Sequence, residues 1–393
     1  MAVKTILLLY AARIASGMVN GYLSMNVIAV SDSRAYHRLG LEDYEILKQH
    51  PKAFFSDIFI AAPGRAGKNI FDTTQNHWNN LKNTLMSKLM AIFDIFSFGN
   101  FYTNIIFYNF LVFIGSMLLY KLFIRLFPSQ KKLLIFCFFL FPSCLFFTSA
   151  IHRDGLIFFL LSMILFHFYH LINDHTHIAK RIVIILISLV FIFLLRNFIV
   201  IALVPALIAY TIANRFPQKT FAIFIGCYLL FGFMFFGGRY IHPALDFPKY
   251  VAQRQNAFEK ISGDAATTVP INTLELTLRS FAANAPQAFG NSLLRPYPWQ
   301  LTEKYYYIPF VLEIFSLAIL FFLMLFYKSK ICVEKKPFLL MLLFFTLSIL
   351  MIIGYTIPVL AAIIRYRSVY LPFLFLLFGL SINWNRLRRT HIL

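Results

Sequence analysis

Windows of about 20 consecutive apolar residues recur along this chain. A run of that length matches the hydrocarbon thickness of a bilayer at the rise of an α-helix, so the recurrence narrows the possible folds more than any other feature. The windows lie near residues 4–23, 101–123, 132–151, 155–173, 182–196, 197–214, 220–237, 307–327, 337–355 and 359–383. They predict an all-α, polytopic transmembrane helical bundle of about ten spans. Hydrophobic residues make up 60% of the chain and charged residues 13%, too few to clothe a water-facing surface. A soluble globule is excluded.

The stretch from Arg181 to Phe216 is too long for one span. With Arg196 near its middle and Pro205 beyond, it predicts a tight hairpin. The last window carries Arg365 and Arg367 and predicts a broken helix, which is tolerated at membrane depth where protein or water covers the backbone. The first apolar stretch, from Thr5 to Leu23, has no cleavage pattern and is followed by further spans, so it is expected to be retained as a helix. Residues 1–393 then form a single integral membrane domain, interrupted by two long polar segments, residues 24–100 and 238–306. Stretches such as "FFSDIFIAA" (residues 54–62) and "WNNLKNTLMSKLMAIFDIF" (residues 78–96) mix apolar and charged positions at helical spacing and predict amphipathic surface helices. Cys137, Cys144, Cys227 and Cys332 have no CxxC spacing and read as structural thiols.

The net charge of +20 would suggest nucleic acid in a soluble protein, but its distribution has another meaning here. With a cytoplasmic N-terminus, ten spans put Lys4, Lys121, Arg125, Lys131, Lys132, Lys180, Arg181, Arg215, Lys219, Lys328, Lys330, Lys335, Lys336, Arg386, Arg388 and Arg389 inside, against only Asp174 and Glu334. The two long segments hold 15 basic and 12 acidic residues and are nearly balanced. This is the positive-inside asymmetry, with both termini cytoplasmic. The charge reports topology, membrane lipids are the expected surroundings, and no nucleic-acid partner is expected.

Seven charged residues remain inside or at the ends of apolar windows: Arg13, Arg153, Asp154, Arg196, Glu313, Arg365 and Arg367. A charge at such a depth costs roughly 2.5–3.5 kcal/mol or more unless it is paired or hydrated. In the ten-span topology Arg153, Arg196, Arg365 and Arg367 lie at three outer turns. There they could converge on one cavity and grip phosphate oxygens through their planar guanidinium groups. Snorkelling to headgroups, or pairing with Asp154 and Glu313, explains the same residues without a ligand.

In "VSDSRAYHRLGLEDYEIL" (residues 30–47), Asp32 follows the first span closely, with His37, Glu42 and Asp43 nearby. A carboxylate there could take the proton of an attacking hydroxyl. "SDS" ahead of a helical stretch equally reads as a helix N-cap. "NDHTHIAK" (residues 173–180) falls in a short cytoplasmic turn and reads as a solvated loop; a divalent metal is compatible with the chain but not indicated, and no cofactor is called for. No HExxH, GxSxG, Walker or GxGxxG motif occurs in a matching context, and "GRAGKN" (residues 64–69) lacks P-loop spacing.

One helix, a long outer segment with an early acidic residue, several spans and a second long outer segment after helix seven: this layout resembles the GT-C superfamily of membrane glycosyltransferases. Three stretches are also similar to bacterial polysaccharide-assembly membrane proteins of the GT-C and polymerase type. These are "FPSCLFFTSAIHRDGLIF" (Phe141 to Phe158), "LLRPYPWQ" (Leu293 to Gln300) and "RYRSVYLPFL" (Arg365 to Leu374). In the first, Pro142, Ser143, Arg153 and Asp154 match a proline, a serine and a basic–acidic pair before the next helix, with Arg153 where lysine is common.

The resemblance implies an enzyme of the bacterial cytoplasmic (inner) membrane that moves a sugar from a polyprenyl-phosphate-linked donor to a glycan or lipid-linked acceptor at the outer face. It makes Asp32 the candidate base, although the paired acidic residues of some members are absent. Arg153, Arg196, Arg295, Arg365 and Arg367, with Asp154, become donor-phosphate or substrate contacts. Tyr297 and Trp299 would stack on a sugar ring, or serve as interfacial anchors. Two alternatives stay open: an O-antigen or exopolysaccharide polymerase that joins lipid-pyrophosphate-linked repeats through its arginines, and a flippase for a lipid-linked sugar.

Overall fold

A computed structural model of the chain describes residues 1–28, 31–56, 77–262, 267–301 and 305–389. Most of "FFSDIFIAA" and all of "GRAGKN" lie outside the described residues. The described residues are helical, with no strand beyond isolated bridges such as Thr268 to Val359. In chain order the helices are α1 (Val3–Tyr22), α2 (Asp32–Gln49), α3 (Pro51–Ser56), α4 (His77–Ser97), α5 (Phe101–Leu126), α6 (Lys131–Ile135), α7 (Pro142–Ser149), α8 (Arg153–Asn173) and α9 (Ile178–Arg215). They continue with α10 (Thr220–Gly237), α11 (Phe247–Ser262), α12 (Leu278–Leu294), α13 (Ile308–Phe326), α14 (Lys336–Thr356), α15 (Leu360–Arg367), α16 (Leu371–Leu380) and α17 (Trp384–Arg389).

Among the described residues, eight helical stretches are long and apolar enough to cross a membrane, and nine if α15 and α16, bent by 55° at their junction, form one broken span. This marks a multi-pass membrane protein. The expected count of ten depended on dividing Arg181 to Phe216. The structure has one helical element of 38 residues there, and its backbone leaves the helical region at Arg196 alone, with φ −155° and ψ 91°. The long polar segments do contain helices, α2 to α4 in the first and α11 and α12 in the second.

The chain divides into two compact units. Unit one comprises residues 1–122, 138–140 and 144–197, and unit two residues 123–137, 141–143 and 198–393. In unit one, α1 meets α5 at Gly17, where an added Cβ would lie 2.7 Å from the Asn109 amide nitrogen and 2.8 Å from the Ser149 carbonyl. The first span ends in a π-helical turn, Leu23–Val27, and α2 packs along α4, with Gly40 against Met90.

In unit two, α14 is the central helix; α10, α11, α12, α15 and α16 all pack on it, and Phe345, Ile349, Leu350 and Ile353 are buried. Its approach to α12 is closest at Gly354, whose missing side chain leaves room for the Ala288 carbonyl. The apolar faces of the outermost helices are exposed, as in α10 (Phe221, Leu229, Leu230, Phe233), and read as lipid-facing. Gly354→Val should force α12 and α14 apart, an overpacking cost of about 1–3 kcal/mol or more. Thermal unfolding in detergent should show a lower Tm than the wild type; an unchanged Tm would contradict the close approach.

Candidate functional site

The first turn of α2 is anchored from three directions within unit one. Arg34 Nη2 donates to the carbonyls of Ser24, Met25 and Ile28 at 3.1, 2.6 and 3.1 Å, capping the π turn that ends the first span. Ser33 Oγ donates to the Ile151 carbonyl at 3.1 Å and lies 3.4 Å from His152 Nδ1. Tyr36 Oη accepts from Arg153 Nε at 2.5 Å, and Arg153 Nη2 donates to Asn83 Oδ1 on α4 at 3.1 Å. Asp32 is the first residue of this helix and is half-buried. The anchors on both its neighbours bring it against the turn that carries Arg153.

The N-cap reading of "SDS" is met only in part. Ser31 occupies the cap position but makes no side-chain cap hydrogen bond, and its buried Oγ has no partner among the described residues. Asp32 stands in the first turn, where the partial positive charge of the helix N-terminus favours a carboxylate.

The turn beneath Arg153 is rigid because its carbonyls are held from the side. Tyr108 Oη donates to the His152 carbonyl and accepts from the Leu156 amide at 2.9 Å, the Asn109 amide donates to the Ser149 carbonyl at 2.8 Å, and Arg13 donates to Thr148. Gly155 lets the Tyr108 ring and the Thr148 carbonyl approach the backbone of α8. Arg13 is thereby accounted for as an internal strut.

Asp154 is completely buried, and Arg196 Nη2 lies 2.7 Å from its Oδ1. Arg196 is itself only 7% exposed. Its non-helical backbone and its buried partner belong together: the guanidinium is held by a carboxylate inside the protein, the pairing alternative noted from the sequence. Expected as a phosphate ligand, it is instead a countercharge for Asp154.

In unit two, Arg367 is fully buried at the end of α15. Its Nη1 donates to the carbonyls of Ser292 (2.9 Å), Leu293 (3.1 Å) and Arg295, the last turn of α12 and the residue after it. The expected substrate contact is thus a C-terminal cap. Glu313 takes the same part at the other polarity: its Oε1 accepts from the Ser143 amide at the start of α7. Arg295 Nε donates to Asn291 Oδ1 at 2.8 Å, and its guanidinium sits 5.0 Å from the Tyr297 ring centre. Tyr297 and Trp299 stack at 4.7 Å and 18°. Arg365 is half-buried, with its guanidinium 6.0 Å from the Tyr366 ring.

The structure therefore gathers Asp32 and Arg153 with Tyr36 and Asn83 in unit one, and Arg295, Tyr297 and Trp299 with Arg367 in unit two. Sequence reasoning missed Ser33, Arg34, Tyr36 and Asn83. Only the position of Ser33 and Arg34 beside Asp32 could have drawn notice. His175 and His177 lie in an exposed turn, and Asp174 binds His170 at 2.6 Å. Among the described residues no group of three or more His, Cys, Asp or Glu side chains could hold a metal ion.

No protein-family model matches the chain, and comparisons with curated proteins and with solved structures give no significant match.

Two outcomes follow. Replacing one partner of the Asp154 and Arg196 pair leaves an uncompensated buried charge, so Asp154→Asn or Arg196→Gln should each cost about 3–5 kcal/mol, and the double variant less than the sum. A double-mutant cycle on unfolding in detergent measures this; strict additivity would show the pair to be uncoupled. Burial holds the His37 imidazole on α2 below its ordinary pKa, with Asp94 opposing the shift. The neutral ring is the folded-state form. Its contribution to stability is complete above the unfolded value of about 6.5 and is lost as pH falls below it. His37→Gln should flatten the loss of Tm across that interval.

Proposed function

We propose that the protein is a membrane glycosyltransferase of GT-C type that takes a sugar from a polyprenyl-phosphate-linked donor. The observation that carries the reading is the placement of Asp32: a half-buried carboxylate immediately after the first span, in a helix turn anchored on both sides and set against the Arg153 turn. The resemblance in layout and in Phe141 to Phe158 adds to it.

In this reading the acceptor hydroxyl oxygen forms a bond to the anomeric carbon of the donor sugar while the bond from that carbon to the phosphate oxygen breaks. The electron pair leaves with polyprenyl phosphate, and Asp32 takes the hydroxyl proton. Arg153 supplies positive charge near the departing phosphate. Its Nε and Nη2 are committed to Tyr36 and Asn83, which fixes the plane of the guanidinium and leaves Nη1 without a partner among the described residues. No nucleotide is needed, since the lipid phosphate is the leaving group.

Ten spans fit this reading. The 38 residues of α9 amount to roughly 57 Å of helix, about twice the ~30 Å hydrocarbon core, and Arg196 divides them near the middle. With α15 and α16 as one broken span, the chain then crosses ten times, with both termini on the positively charged cytoplasmic side of a bacterial inner membrane.

The polymerase alternative needs several arginines to hold a pyrophosphate, and the internal partners of Arg196 and Arg367 weigh against it. The test uses the purified protein with polyprenyl-phosphate sugars and lipid-linked acceptors. Transfer should fall about 100-fold or more in Asp32→Asn, the usual weight of a general base, with binding of donor retained. Transfer unchanged by Asp32→Asn would remove the base, and movement of labelled donor across vesicles without product would make the protein a flippase.

A further inference from the structure

Three features of unit two set the segment after α12 apart. The first is its stacking order: the Arg295 guanidinium, the Tyr297 ring and the Trp299 indole lie against one another, with Tyr297 between the other two. The second is its exposure. Trp299 is 72% exposed at the end of the stack, while Arg295 and Tyr297 are half-buried.

The third is the rigidity of the backbone beneath. Arg367, fully buried, grips the carbonyls of Ser292, Leu293 and Arg295; Asn291 holds Arg295 Nε; and the Tyr297 amide donates to Gln300 Oε1 at 2.9 Å. A large aromatic side chain held open in this way loses little freedom on binding, so the ordering cost has already been met in folding.

We propose that Arg295, Tyr297 and Trp299 form a platform for a pyranose ring of the glycan or lipid-linked acceptor. A pyranose has one face of axial C–H groups and an equatorial rim of hydroxyls. The indole of Trp299 offers a flat, electron-rich face to the C–H groups. At the inner edge Arg295 Nη1 and Nη2, which have no partner among the described residues, offer donors in one plane to hydroxyl or carboxylate oxygens. An acyl chain would use the aromatic faces but leave those donors unmatched. Arg367 and Asn291 act as positioning residues, through Arg295 and the backbone.

This rests on the reading of the protein as one that handles sugars, but not on Asp32 as base. A single ring on an exposed platform implies roughly millimolar affinity. The test titrates the full-length protein in detergent with methyl β-glucoside, methyl β-galactoside and glucuronic acid while recording tryptophan emission. At least one sugar should give a saturable change that disappears in Trp299→Leu and weakens about tenfold or more in Arg295→Ala, with both variants keeping the wild-type Tm.

No saturable change with any of the three, or a change that survives Trp299→Leu, overturns the platform. So does emission from Trp299 that is indifferent to sugar but quenched by brominated phosphatidylcholine in nanodiscs, which would make the stack an interfacial anchor. Binding at Trp299 without transferase activity would overturn the transferase reading and keep the platform; transfer without such binding would do the reverse.

Discussion

Charge and backbone polarity among apolar helices must find their partners inside the protein, because lipid offers none. The buried pair of Asp154 and Arg196 is the clearest instance, at 2.7 Å. Around it the same demand recurs: Arg13 reaches Thr148, Tyr108 bridges His152 and Leu156, Arg367 collects three carbonyls at the end of α12, and Glu313 caps the start of α7. Each of these contacts closes a helix end or holds a turn. The polar residues of the spans are in this sense the joinery of the fold.

That joinery also positions the side chains with a chemical task. Asp32 has its place because Ser33 and Arg34, its immediate neighbours, are tied to two different structures, the turn before α8 and the end of the first span. Arg153 projects from a turn whose carbonyls are pinned underneath, and Arg295 from a segment that Arg367 holds. Division of labour among the arginines follows from burial. Arg196 and Arg367 are enclosed and serve the fold, whereas Arg153, Arg295 and Arg365 retain exposure and can meet a ligand.

Much of the architecture was legible in the sequence because a span of helix in lipid needs a fixed length of apolar residues. The windows near 101–123, 155–173, 220–237, 307–327 and 337–355 each became one long helix with ends shifted by a few residues. The break near Arg365 and Arg367 was visible too, as two charges in an apolar run. At Arg196 the same signal marked the departure from helical backbone but could not say how the chain continues. Composition carries no information about direction after one non-helical residue.

The candidate site was less legible. Asp32 stood out as an acidic residue close behind a span, yet nothing nearby in sequence indicated that Tyr36 would meet Arg153, 117 residues away, or that Asn83 would complete the set. The sequence by itself determined that this chain belongs to a bilayer, roughly where it crosses, and which charges required an explanation, since those are matters of length and local polarity. Only the tertiary structure decided which charges answer to one another and which face outward. Pairing depends on residues far apart in the chain arriving within about 3 Å, and helix packing alone sets that.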